Sequence, residues 1–222
     1  MNRKEDFIKH ITAGYTSKGE SIILGGAILD GEAIADAYVK IPLKTLNRHG
    51  LIAGATGTGK TKTIQVLSEQ LSSFGIPVLM MDIKGDFSGI AKEGEEKSFI
   101  TERHAKINLP YSIAKFPVEL LTLSEQNGVR LRATVSEFGP VINFITEEGK
   151  DEITKNYGRI STSTTGIILR KIIELEQQGA ELFFGEMSFD IDDLMRIDEN
   201  GKGYINIIRL TDIQDKPKLF ST

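Results

Sequence analysis

Leu51-Ile-Ala-Gly54-Ala-Thr-Gly-Thr-Gly-Lys60-Thr61-Lys62 is the stretch on which the reading of this chain turns. From Gly54 to Thr61 it matches the pattern G-x-x-x-x-G-K-[ST] at every fixed position. The pattern has a physical reason. A row of phosphates is held by consecutive backbone N–H groups, so Gly54, Gly57 and Gly59 remove side chains and permit unusual backbone angles. The N-terminus of the following helix adds partial positive charge. Lys60 supplies a point charge for the β- and γ-phosphates, and the Thr61 hydroxyl suits Mg²⁺, which takes few protein ligands. The expected phosphate-binding set is therefore Gly54, Ala55, Thr56, Gly57, Thr58, Gly59, Lys60, Thr61 and Lys62. Lys60 is the candidate catalytic cation and Thr61 the candidate metal ligand. The ligand this implies is a nucleoside triphosphate, ATP with Mg²⁺.

The context on both sides agrees with that reading. Leu51-Ile-Ala53 reads as a strand entering the loop. After it, Ile64, Leu67, Leu71 and Phe74 recur at helical spacing, predicting an amphipathic helix that buries this stripe and stops at Gly75. Val78-Leu-Met-Met81 is a continuous apolar run, expected as a strand covered on both faces. Strand, loop, helix and strand make a βαβ unit with its two strands parallel.

Asp82 closes that second strand and is the candidate acid of the site, both catalytic and metal-binding. Two assignments stay open. If its strand neighbours the loop strand, Asp82 is the acid that holds the Mg²⁺ shell; if another strand intervenes, that acid comes from later in the chain and Asp82 is an accessory. Lys84, Gly85 and Asp86 continue the loop at the same sheet edge, where ligands of open α/β sheets lie. Arg48 and His49 read as turn residues, Arg130 and Arg132 as the polar face of an alternating strand, and Arg159 as the flank of a helix cap.

Working outward, residues 1–20 read as polar and mixed. Ser21 to Asp30 reads as two short apolar pieces turning at the pair Gly25-Gly26, and Tyr38 to Leu43 as an extended piece ended by Pro42. Residues 1–45 are thus expected to form a small N-terminal β element and residues 46–222 the main domain. Phe116–Leu121 and Val129–Ser136, separated by Asn127-Gly128, predict an antiparallel hairpin added to the parallel core. Helices are expected over Gly166–Gln178 and Asp190–Arg196, and a last strand over Gly203–Ile208.

The chain has 222 residues, no cysteine and a formal net charge of -4. A disulfide framework or thiolate metal site is excluded, and the natural compartment is the reducing cytoplasm. No apolar run approaches the roughly 20 residues needed to cross a bilayer. The overall acidity advertises no nucleic-acid partner, so any DNA contact must be local or assembled from several subunits.

Leu43-Lys-Thr-Leu-Asn-Arg-His-Gly50, the loop Gly54–Thr61 and Val78-Leu-Met-Met-Asp-Ile-Lys-Gly-Asp86 together resemble the bacterial HerA-like ATPases of the HerA/FtsK group. Arg132–Pro140, Tyr157–Ser161 and Phe183–Glu186 are similar to the branch with a helicase HerA-like C-terminal domain. The resemblance implies an α/β, RecA-like P-loop core, hexameric in assembly, that hydrolyses ATP to pump or unwind DNA. It makes Asp82 the acid of a D-x-K-G-[DE] segment rather than the Walker-B residue. It also implies that the Walker-B strand, ending in Asp-Glu, follows the equivalent of Thr222, and that sequence is missing between Pro140 and Tyr157. A chain without that strand is expected to bind nucleotide and to hydrolyse it poorly. The alternative function is a nucleotide-dependent switch or interaction module without turnover.

Overall fold

Asp30 and Gly31 turn the N-terminal hairpin, with φ values of 52° and 85°. In the computed structural model, helix α1 (Arg3–Tyr15) precedes strands β1 (Ser21–Leu29) and β2 (Glu32–Pro42). The structure describes residues 3–123, 128–130, 144, 146–159, 161–178 and 189–213. Leu29 pairs with Glu32 across the two-residue turn, the geometry that Asp-Gly favours because both central residues need positive φ. The expected turn at Gly25-Gly26 is therefore corrected. Those glycines lie inside β1, where the register shifts between Ile23 and Gly25 and again between Gly26 and Ile28. Gly26 is needed for close approach, since a Cβ there would come within 2.6 Å of Ile107 Cγ2. Pro42 does end its strand.

Residues 3–15 are a helix that the sequence reading misses. Phe7, Ile8 and Ile11 fall on one face and pack against Ala27, Ile34 and Ala37 of the hairpin. Helix α2 (Lys60–Ser73) follows the glycine-rich loop as expected, and it ends where expected. Gly75 N donates to Ser72 O at 2.9 Å and Ile76 N to Leu71 O at 3.0 Å, a Schellman stop that uses the positive φ of Gly75.

The buried face of α2 differs from the expected one. Gln65, Ser68 and Ser72 are buried, whereas Ile64, Leu67 and Leu71 are half-buried and Phe74 is exposed. Apolar periodicity misses this face because it is built for close backbone approach. Ser72 Oγ donates to Gly203 O at 2.6 Å, and Ser68 Oγ satisfies itself on Ile64 O at 2.9 Å. Gln70 reaches the hairpin instead: its amide donates to Ile23 O and accepts from Ile23 N, both at 2.7 Å. The side chain thus stands in for a neighbouring strand at an edge position of β1.

Leu51–Ala53 is not a strand; it is irregular, and Leu51 is 89% exposed. Three residues between Gly50 and Gly54 are too short a run to compete for a sheet position without a paired neighbour. The expected parallel pairing of this stretch with the strand after α2 is accordingly absent among the described residues. That strand, β3 (Val78–Asp82), does form, but Leu79 and Met81 on one face are exposed, so it is covered on one face and not on both.

Helix α3 (Ser98–Ile107), strands β4 (Val118–Thr122) and β5 (Val129–Arg130), helices α4 (Lys150–Tyr157), α5 (Thr162–Gln177) and α6 (Ile191–Leu194), and strand β6 (Ile205–Arg209) complete the described elements. The sheet order is β3-β6-β4-β5. Val78 N donates to Tyr204 O and, four residues on, Leu210 N donates to Asp82 O, so β3 and β6 run in the same direction. β4 and β5 are also parallel, with Leu121 opposite Val129 and Thr122 opposite Arg130. This corrects the expected antiparallel hairpin. Gly128 lies against the Leu120 carbonyl, which a Cβ would meet at 2.7 Å. The remainder of the expected second hairpin strand, residues 131–136, lies outside the described residues. The class is α/β with parallel strands, as the sequence predicts.

The chain divides into two compact units: Met1–Val78, Phe87–Val118 and Met195–Ile205 form one, and Leu79–Asp86, Glu119–Leu194 and Asn206–Thr222 the other. In the first, the hairpin core carries α1. In the second, Leu210 and Ile213 are buried against Leu123, Leu175 and Ile208.

Candidate nucleotide-binding site

Gly59 caps the N-terminus of α2 at a φ of 94°, and Gly57 holds 81°. These left-handed angles strain any other residue, and the space a Cβ would take at either position is empty. Gly54 serves another purpose, since a Cβ there would come within 2.5 Å of Thr58 Oγ1. Thr58 itself donates through Oγ to Ala55 O at 2.7 Å and closes the loop across its own base.

Thr63 N donates to Gly59 O at 2.9 Å, the first rung of the helix. The N–H groups of Lys60, Thr61 and Lys62 precede that rung and have no helical acceptor, which together with the helix dipole makes an anion site. Lys60 folds back over the loop, donating from Nζ to Gly54 O and Ala55 O at 2.7 Å each. An ammonium has three N–H donors, so one remains for a phosphate oxygen. Ala55, Thr56 and Lys62 are exposed and Thr61 is half-buried in the first turn, its hydroxyl making no hydrogen bond among the described residues. Further along α2, burial pushes the Glu69 carboxyl above its ordinary value, with Lys62 opposing the shift.

These features fit a Mg²⁺-bound triphosphate: unpaired N–H groups at a helix N-terminus, an anchored cation and a neighbouring hydroxyl. Among the described residues no group of three or more His, Cys, Asp or Glu could hold a metal by itself. A Mg²⁺ ion here would draw its remaining ligands from phosphate and water, as it commonly does. A shallow cavity of about 610 Å³, lined by Glu96, Ser98, Thr101, Glu102 and Ala105, includes no loop residue and has the wrong charge for phosphates.

Asp82 belongs to the other unit. It is 2% exposed, and its Oδ1 accepts from the backbone N–H of Lys84, Gly85 and Asp86 at 3.2, 2.8 and 3.2 Å. Gly85 sits at a φ of 82°, which this tight loop demands. Lys84 and Asp86 point outward and are exposed. The bonds from Val78 to Tyr204 and from Leu210 to Asp82 place Asp82 and Arg209 side by side in register, so their side chains leave the same face of the sheet. Arg209 is half-buried and is a residue the sequence reading passes over, because it ends the last strand at Ile208. A strand extended by one residue was the available signal.

Arg48 and His49 are exposed on irregular chain, and Arg159 is exposed ahead of α5, whose cap is Ser161 accepting from Thr164 N at 3.1 Å. Arg130 lies on β5. Arg132 and the segments 132–140 and 183–186 that carry part of the family likeness lie outside the described residues. No described helix is long and apolar enough to cross a membrane.

A family described as "Helicase HerA-like C-terminal" matches residues 28–145 and 141–222 of this chain. The two matched segments overlap at residues 141–145. The chain is 25% identical over 202 residues to the DNA double-strand break repair helicase HerA of Sulfolobus acidocaldarius, covering 90% of this chain and 39% of that protein. It is 31% identical over 163 residues to the protein of the same name from Sulfurisphaera tokodaii, covering 71% and 31% respectively. With that from Saccharolobus solfataricus it shares 30% over 198 residues, 87% and 37% of the two chains. The chain thus spans between 31% and 39% of the length of these relatives. No solved structure matches.

Proposed function

The chain belongs to the helicase HerA-like C-terminal family, and from that premise we propose that it is the nucleotide-binding part of a motor ATPase that spends ATP to move along or unwind DNA. The observation that carries the reading is the loop from Gly54 to Thr61, with Lys60 pinned across it and three N–H groups unpaired at its helix. In this reading Gly54, Ala55, Thr56, Gly57, Thr58 and Gly59 wrap the β- and γ-phosphates, and Lys60 neutralises them as charge builds on the transferred group. Thr61 would hold Mg²⁺, and Lys62 would add charge at the rim. Mg²⁺ held there would supply positive charge to the phosphates. DNA as the track and a homo-oligomer, six subunits in the family-based form, belong to the same proposal. They rest on the likeness to repair helicases named HerA.

A second reading, a nucleotide-dependent switch without turnover, is favoured by one observation: the Asp82 carboxylate is engaged by its own loop. Steady-state ATP turnover with and without duplex DNA separates the two. The motor reading expects stimulation by duplex and DNA affinity that falls with rising salt, because phosphate contacts release counterions. Nucleotide binding with no turnover under either condition supports the switch, and turnover indifferent to DNA contradicts the motor.

A further inference from the structure

We propose that Gln70 is a positioning residue for the glycine-rich loop: its two hydrogen bonds to Ile23 tie the N-terminal hairpin to α2, and this tie sets how tightly the loop holds a nucleoside triphosphate. The proposal rests on the nucleotide-binding reading above and gives that site a means of regulation.

Every residue involved belongs to the compact unit that contains Met1–Val78. The span that carries the loop leaves β2 at Pro42 and enters α2 at Lys60. Its own structure is sparse. A single short turn at Leu43–Thr45 is closed by Thr45 Oγ donating to Pro42 O at 2.7 Å, and irregular chain follows, in which Leu51 is 89% exposed. Among the described residues no strand backs Leu51–Ala53. The order of the span therefore depends on what fixes its two ends against each other.

Gln70 joins those ends. Its side-chain amide donates to Ile23 O and accepts from Ile23 N, both at 2.7 Å. Ile23 pairs across the hairpin with Lys40, close to Pro42, and Leu43 N donates to Glu20 O at 3.0 Å at the same end of the hairpin. On the other side, Gln70 lies about 15 Å along α2 from Lys60, at the rise of a regular helix. The side chain thus sets the place where the span begins relative to the helix on which it ends. Released from Ile23, the amide has another acceptor at hand one turn back in its own helix, Val66 O at 3.4 Å.

Two states follow. With the amide seated on Ile23, both ends of the span are fixed and the loop is arranged for an anion in advance. With it released, binding must first order the span, and affinity falls because the loop is competent only part of the time. Linkage makes the effect reciprocal: if the seated amide raises the affinity for ATP by some factor, bound ATP must favour the seated amide by the same factor.

Amide hydrogen exchange at Ile23 reads the tie, and calorimetric titration with Mg-ATP reads the site, both on the full chain. Saturating Mg-ATP is expected to slow Ile23 exchange in the wild type by about fivefold or more, the lower end of ordinary coupling between sites. Gln70→Met keeps the stem and a good helix former while removing both polar atoms. It is expected to quicken Ile23 exchange and to weaken ATP binding severalfold, by no more than the factor of slowing seen in the wild type. Ser72→Ala loosens the same end of α2 without touching the hairpin, and is expected to leave ATP affinity unchanged. ATP binding that leaves Ile23 exchange unaltered overturns the proposal. So does a Gln70→Met variant that binds ATP as tightly as the wild type, or a Ser72→Ala variant weakened as much as Gln70→Met. Should Gln70→Met fail to fold, the wild-type exchange with and without ATP decides. A wild type that binds no ATP overturns the nucleotide reading as well, an outcome distinct from binding without slowing.

Discussion

Ser72 and Gly203 exchange two hydrogen bonds across 131 residues of chain: Gly203 N donates to Ser72 O at 2.9 Å, and Ser72 Oγ donates to Gly203 O at 2.6 Å. Ser72 is fully buried, and a Cβ on Gly203 would run into the backbone of Ile76 and Pro77. The C-terminal end of α2 is thereby joined to the turn that feeds β6. Gly203→Ala is expected to destabilise the chain by about 1–3 kcal/mol through overpacking against atoms that cannot rotate away. Ser72→Ala is expected to cost a similar amount, about 1–3 kcal/mol, by leaving a buried carbonyl without its hydroxyl. Urea denaturation checks both, and a midpoint equal to wild type for Gly203→Ala contradicts the close contact.

Gln70 carries a second connection of α2, this one to the hairpin. Its amide satisfies both backbone groups of Ile23, so Gln70→Ala exposes an edge position to water and Gln70→Glu puts a carboxylate against a carbonyl. Loss of the pair is expected to cost about 1 kcal/mol for the alanine variant, with more for glutamate near neutral pH. Exchange at the Ile23 amide should quicken in Gln70→Ala, which removes its acceptor. An unchanged rate would show that the hairpin does not depend on this side chain.

Asp198 orders the turn before β6 by accepting from Lys202 N at 2.7 Å and Asn200 N at 2.9 Å. The Lys202 backbone bond is the largest cause that holds its carboxyl below the ordinary value of 3.8; desolvation opposes it, and the Asn200 bonds and the Lys202 charge add to the lowering. A depressed folded value means that the turn gains stability above pH 3.8 and loses it as pH falls through the lowered value. Amide chemical shifts of Asn200 and Lys202 should therefore titrate together below pH 3.8. Titration of these amides above that pH contradicts the assignment.

The glycine-rich loop and its helix were legible because each rests on local chemistry: glycines where left-handed angles are needed, Gly75 at the stop. The same is true of Val78–Asp82 and of the capped helix at Asp190, where Asp190 N donates to Asp193 Oδ2 at 2.8 Å. Legibility failed where pairing is decided at a distance. Gly25-Gly26 reads as a turn only until Asp30-Gly31, the better positive-φ pair, is weighed against it. Val129–Ser136 alternates like an antiparallel strand, yet Val129–Arg130 pairs parallel to β4. The buried side of α2 is polar because Ser72 must meet a backbone, which hydrophobic spacing cannot register. Asp82 stands out in the sequence as the acid that closes an apolar strand, while its three N–H partners and its register neighbour Arg209 emerged only from the fold.

The most direct test is thermal unfolding of the wild-type chain and of Lys60→Ala with and without Mg-ATP. A ligand at about a hundred times its dissociation constant stabilises by roughly 2.7 kcal/mol. For a chain of this size that amounts to several degrees. The wild type is expected to shift upward by that amount, and Lys60→Ala by little or nothing, since the substitution removes the cation that spans Gly54 O and Ala55 O. No shift in the wild type, or an equal shift in both, would contradict the claim that the loop from Gly54 to Thr61 binds a nucleoside triphosphate.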